Sequence, residues 1–162
     1  RHVLVRTSHD LENIMIVLVL TSEALPSKEE IIAKIIKRYP NVKSIIINVN
    51  DKKGNTILGN KCITIYGDEY IEDVLCGLKF RIGPKSFYQV NHNQTEILYQ
   101  KAIELADLKE TDVLIDAYCG IGTIGLIASK CVDKVYSVEI VDEAIKNAKI
   151  NAKINKIKII VE

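Results

Sequence analysis

The chain has 162 residues, 48% of them hydrophobic and 27% charged, and 22 Lys and Arg against 21 Asp and Glu leave a formal net charge of +1. This describes a folded globular protein and excludes a disordered or broadly polycationic one, so an anionic partner has to be held by a local patch. The length suits one ordinary domain or two small ones with a buried core, and the longest apolar run, IMIVLVL at 14–20, falls well short of the roughly 20 residues of a membrane helix.

HVLVRT and NIMIVLVLTS are β-rich runs separated by the polar SHDLE. SKEEIIAKIIKRY predicts an amphipathic helix with Ser27 as N-cap, Glu30 at the capping-box position and Pro40 after its end. Ile31, Ile32, Ile35 and Ile36 share one face, so this helix should cover a sheet. VKSIIINVN reads as a strand and NDKKGN as a turn; KCITIYG, YIEDVLCG and LKFRIGP read as short strands in a meander or hairpins. In the last of these, alternation sends Phe80 and Ile82 to the core and Lys79 and Arg81 to solvent.

The rhythm then changes. Asn91 and Gln94 frame a capped helix start continuing through QTEILYQKAIELA, and DVLID, IGTIGLIASK, KVYSVEI, VDEAIKNAKINAKIN and IKIIV alternate as strand, helix, strand, helix, strand. Such alternation implies right-handed βαβ crossovers and a parallel sheet of three strands, about half of a doubly wound one. The lysines of the last helix read as a solvated face, and its repeated AKIN as helical periodicity. The expected organisation is an α+β domain over 1–90, then over 91–162 the first half of a Rossmann-like α/β domain. The chain opens at Arg1 and stops after IKIIV and Glu162, as expected of a segment of a longer protein.

Gly120, Gly122 and Gly125 form G-x-G-x-x-G between a predicted strand and helix, and Glu139 follows Gly120 by nineteen residues, at the end of the next strand. That context predicts a nucleotide site: the glycines allow close backbone approach and the acid accepts ribose hydroxyls. A dinucleotide would set its pyrophosphate against this turn. Asp116, at the tip of the first strand, would then oppose it by about 1 to 4 kcal/mol at surface-like dielectrics. S-adenosylmethionine has no phosphate and carries a sulfonium and an ammonium, so the charges favour a methyl donor over NAD. A capping role for Asp116 is the structural alternative.

FRIGPKSFYQVN, LIDAYCGIGTIGL and VYSVEIV with its following AI-NAK-NA helix closely resemble the S-adenosylmethionine-dependent RNA (uracil-5-)-methyltransferases, most specifically from Phe80 to Asn155. Residues 1–79 resemble the middle domain that precedes the catalytic domain in that family. The resemblance implies S-adenosyl-L-methionine as cofactor and RNA as partner, ribosomal RNA ahead of transfer RNA. It implies cofactor contacts from Gln89, Tyr118, Glu139, Gly120, Gly122 and Thr123, the last falling where some relatives have Asn, to which the charge argument adds Asp116. Phe87 resembles an aromatic that packs on the target base. In that family a cysteine thiolate adds to C6 of uracil, making C5 nucleophilic enough to take the methyl group, and the target base is unpaired or flipped.

The family's nucleophile and base follow the third strand, so no catalytic residue is expected here, and the chain alone is expected to be inactive. Cys119 matches the cofactor loop and not the nucleophile's motif. The four cysteines (62, 76, 119 and 131) show neither C-x-x-C nor zinc spacing with histidine. Separate reduced thiols in a cytoplasmic protein without a metal are expected. A non-catalytic nucleotide- or RNA-binding module and an NAD-dependent oxidoreductase half-domain are the alternatives. Because the first strand of such a sheet is central, DVLID should present an open edge, and self-association through it is expected.

Overall fold

The computed structural model describes residues 1–161. They divide into two compact units: Arg1–Asp73 with Gly83–Lys85, and Val74–Ile82 with the chain from Ser86 onward.

The first unit is built on a four-stranded sheet in the order β1 (His2–Thr7), β2 (Ile14–Leu20), β3 (Val42–Val49), β4 (Lys61–Gly67). β1 and β4 run antiparallel to their neighbours, while β2 and β3 are parallel. A parallel pair needs a crossover, and α1 (Lys28–Arg38) supplies it. Its Ile31, Ile32, Ile35 and Ile36 are half-buried and the helix contacts β3. Met15, Val17 and Val19 are fully buried on alternate positions of β2, whereas Ile45, Ile46 and Ile47 are buried consecutively. Side chains alternate along a strand, so that consecutive burial means both faces of β3 are covered.

Ser27 does not cap α1 as expected. Its backbone is left-handed (φ 53°) and its side chain makes no capping bond, because an N-cap hydroxyl reaches the first free N–H groups only from an extended backbone. Glu30 instead pairs with Lys34 at 2.7 Å, one turn on. The segment after β3 is organised by buried asparagines: Asn48 Oδ1 accepts from Gly59 N–H at 2.7 Å, and Asn50 Nδ2 donates to the carbonyls of Thr56 and Ile57 at 2.7 and 2.9 Å.

β5 (Ile71–Leu75) and β6 (Leu78–Ile82) form a two-stranded hairpin. Cys76 (φ 49°) and Gly77 (φ 75°) make a two-residue turn whose positive φ values suit the strand twist. The division between the units falls inside β5, after Asp73.

In the second unit, α2 (His92–Ala106) is capped by Asn91, whose Oδ1 accepts from Gln94 N–H at 3.2 Å. β7 (Val113–Ala117), α3 (Thr123–Ala128), β8 (Lys134–Val138), α4 (Asp142–Ile154) and β9 (Ile160–Val161) follow, with a short 3₁₀ turn after α3. The three strands are parallel in the order β7-β8-β9, the α/β arrangement expected. A core of Leu75, Leu78, Phe80, Leu126, Ile127 and Ala152 joins the β5–β6 turn region to α3 and α4. One face of the sheet is buried through Asp116, Val135 and Ser137; Val113, Ile115 and Val138 lie exposed on the other. No helix of the described residues is long and apolar enough to cross a membrane.

Candidate functional site

The parallel sheet ends at its carboxyl edge in two acids, one at the tip of each of the first two strands. Asp116 pairs with Ser137 in the register of β7 and β8 and turns its carboxylate to the buried side. Its Oδ2 accepts the Gly125 N–H at 2.9 Å, a group in the first turn of α3 that no helical carbonyl can satisfy. A Cβ at position 125 would lie 2.6 Å from that same oxygen, so the third glycine makes room for the acid. Burial pushes the Asp116 carboxyl above its usual range, and the Gly125 bond pulls it partly back.

Between β7 and α3 the chain is left-handed at Tyr118 (φ 62°), Gly120 (φ 57°) and Gly122 (φ 83°). For a non-glycine such as Tyr118 this conformation costs about 1–2 kcal/mol, and the residue is nonetheless 88% exposed. Strain held at an open position marks a functional turn rather than a packed one. A Cβ on Gly120 would meet nothing within 4 Å, so open space faces the backbone there; one on Gly122 would press on Ala148 Cβ at 3.3 Å.

Glu139, the residue after β8, grips this turn. Its Oε2 accepts the Gly120 N–H at 2.9 Å, and Oε1 accepts from Ile140 and Val141 N–H at 2.8 and 3.0 Å. Those bonds, that from Val141 foremost, hold the carboxyl below the usual glutamate range, so it is anionic at neutral pH. Three donors occupy three of about four lone-pair positions, leaving room for a further donor. Beside it Ile140, absent from the sequence-based set, is 89% exposed. The available signal was an apolar residue directly after the strand-tip acid.

The N–H groups of the three motif glycines and of Cys119 are spent internally. Gly120 N–H goes to Glu139, Gly122 N–H to the Cys119 carbonyl (2.9 Å), Gly125 N–H to Asp116 and Cys119 N–H to the Val138 carbonyl (3.0 Å). A pyrophosphate cradle needs free backbone N–H groups. At its glycines this turn offers instead open space, carboxylate oxygens and apolar side chains.

The Cys119 thiol is buried and pushed up to about 11, by burial first and then by the charges of Asp116 and Glu139. It stays protonated at neutral pH and is no nucleophile. Thr123 opens α3 and its Oγ1 lies 3.1 Å from the Tyr99 hydroxyl of α2. Phe87 is 75% exposed and Gln89 half-buried; neither is among the described residues bonded to the turn. Their segment is anchored by Tyr88, which packs on the core and lies 6.5 Å, ring to ring, from Phe80. Among the described residues no group of three His, Cys, Asp or Glu could hold a metal ion.

This sheet with its strand-tip acids belongs to the fold of S-adenosylmethionine-dependent methyltransferases. The tRNA (uracil-54, C5)-methyltransferase of Pyrococcus abyssi, solved in complex with S-adenosyl-L-homocysteine, matches 99% of this chain and 38% of its own, at 27% identity and a TM-score of 0.77. The tRNA m1G37 methyltransferase of M. jannaschii shares the fold alone, at 18% identity and a TM-score of 0.58. More narrowly, the chain belongs to the tRNA (uracil-5-)-methyltransferase family, whose model matches residues 29–161. It is 48% identical over 155 residues to an uncharacterized RNA methyltransferase of Oceanobacillus iheyensis, covering 96% of this chain and 34% of the relative. One from Clostridium tetani is 50% identical over 157 residues, with 97% and 34% covered. The chain thus spans about a third of the length of the curated relatives it matches.

Proposed function

We propose that this chain is the donor-binding segment of an RNA (uracil-5-)-methyltransferase, with S-adenosyl-L-methionine as donor and C5 of a uridine as acceptor. The bond from Gly120 N–H to Glu139 Oε2 carries the reading, since it joins the open turn to the second strand-tip acid. The donor supplies an electrophilic methyl group on a sulfonium. Glu139 accepts a ribose hydroxyl, Ile140 offers an apolar surface to the adenine, and Tyr118 flanks the ligand. Gly120 and Gly122 shape the turn, Thr123 fixes the start of its helix, and Asp116 lends negative charge beneath a cationic ligand. Gln89 is assigned to the cofactor and Phe87 to the target base, both from the family pattern. With Cys119 held as a thiol, the nucleophile is assigned outside this chain.

The acceptor proposed is RNA. Ribosomal RNA heads the sequence-based expectation, whereas the P. abyssi relative is by name a tRNA enzyme; methylation assays of the parent protein on the two RNAs separate these. Free thiols at all four cysteines support a cytoplasmic setting. The exposed edge of β7 supports pairing with a second copy, and a clean monomer by light scattering at high concentration refutes that.

Calorimetry with S-adenosylhomocysteine and with NADH tests the donor assignment. Binding of the former alone, weakened by Glu139→Gln, is the expected result. Binding of NADH would move the chain to the oxidoreductases, and binding of neither would leave a scaffold. Incubation with RNA and labelled donor should give no turnover by this chain alone.

A further inference from the structure

The last helix of the described fold carries a polar side chain where a helix facing a core should have none. Asn151 of α4 is 0% exposed, between buried Ala148 and Ala152. Asparagine is a poor helix former and a buried amide is costly unless its bonds are made. Asn151 makes them to two distant segments: Oδ1 accepts from Arg81 N–H at 2.8 Å, while Nδ2 donates to the Ile121 carbonyl at 3.0 Å and more weakly to the Arg81 carbonyl at 3.5 Å. One turn later Asn155 spends its bonds on one strand residue and on its own helix. Its Oδ1 accepts from Lys79 N–H at 2.9 Å and its Nδ2 donates to the carbonyls of Lys79 at 2.6 Å and Asn151 at 2.8 Å, with nothing described reaching the glycine turn.

The spacing has a geometric basis. Four helix residues advance about 6 Å and two strand residues about 6.7 Å, so asparagines at i and i+4 meet alternate residues of one strand. The two AKIN segments, 148–151 and 152–155, thus act as a side-chain strand along β6. Asn151 alone extends the grip to Ile121, the residue between Gly120 and Gly122.

We propose that Asn151 is a positioning residue for the donor site: by holding the Ile121 carbonyl against β6 it fixes the crook that presents Gly120 to Glu139. The proposal rests on the donor-binding reading above for its effect on affinity, but not for its effect on the turn. Asn155 is the internal control, because its loss weakens the same clasp on β6 without releasing Ile121.

The test uses the full chain at a temperature where every variant is folded by circular dichroism. Asn151→Ala should weaken S-adenosylhomocysteine binding by about tenfold or more, a factor that one lost buried hydrogen bond can supply. Asn155→Ala should stay within about twofold despite a lowered melting temperature. The backbone amide resonances of Gly120 and Gly122 should shift in Asn151→Ala and keep their positions in Asn155→Ala. Asn151→Ser, the milder change, should fall between if the alanine variant does not fold. Affinity lost by both variants in step with melting temperature, or glycine resonances unmoved in Asn151→Ala, would overturn the proposal. Should the unsubstituted chain fail to bind S-adenosylhomocysteine, the donor reading falls, and the resonances still decide whether Asn151 positions the turn.

Discussion

β3 and β7 are similar as sequences and opposite as strands. β3, VKSIIINV, has a neighbour on each side, and Ile45, Ile46 and Ile47 are all buried. Among the described residues β7, VLIDA, pairs with β8 alone and leaves Ile115 68% exposed. Apolar content therefore does not decide burial; neighbours do, and they are set by topology. The two sheets also place their chemistry differently. The first spends its central strand on packing, whereas the second carries Asp116 and Glu139 at its strand ends, where open α/β sheets bind ligands.

The largest effect should come from the covered strand. Ile46→Ala removes a fully buried side chain and should cost about 2–5 kcal/mol in denaturant unfolding of the first unit; a loss below 1 kcal/mol would mean the site collapses freely, ending the contrast with β7. Next comes Gly125→Ala. Its Cβ would meet Asp116 Oδ2 at 2.6 Å, an atom held by burial and by its own hydrogen bond. Overpacking of this kind costs about 1–3 kcal/mol, and binding of S-adenosylhomocysteine should fall with it, whereas unaltered binding would separate Asp116 from the site.

The two acids should also differ in the sign of their pH dependence. Glu139 is depressed in the fold, so its stabilisation is complete above the ordinary glutamate value and is lost as pH falls through the lowered one. Asp116 is raised, so stability is greatest below the ordinary aspartate value and is lost as pH rises through the raised one. In melting curves between about pH 3 and 6, Glu139→Gln should fall increasingly behind the unsubstituted chain as pH rises, and Asp116→Asn should move ahead. Parallel curves would remove the distinction between a solvated and a buried carboxylate.

Much of the second unit is legible in sequence because its signals are local. Strand–helix alternation, the Asn91 cap and the nineteen-residue spacing from Gly120 to Glu139 each act within a few turns of chain. What escapes is long-range or conformational. Asn151 and Asn155 find partners 70 and 76 residues away, so the AKIN repeat looks like mere periodicity until β6 is beside it. Ser27 has the composition of a cap, but its backbone is left-handed and its hydroxyl makes no capping bond. The internal bonding of the Gly120 and Gly125 N–H groups, which withholds them from a phosphate, depends on where two carboxylates fall and leaves no motif of its own.

The smallest effect on stability is expected at Ile115, and it sharpens the comparison most. An exposed strand residue has little packing to lose, so Ile115→Ser should change unfolding free energy by no more than about 0.5 kcal/mol, a small fraction of the loss at Ile46. Its effect should appear in association instead. Val113, Ile115 and Val138 form an apolar face on a sheet whose β7 edge has no partner strand among the described residues, and removing the largest side chain from it reduces the area that a proposed second copy could cover. Light scattering across a concentration series should then show the serine variant dissociating at higher concentration than the unsubstituted chain. A serine variant that unfolds as readily as Ile46→Ala would mean that Ile115 is covered in solution, and β7 would join β3 as a core strand.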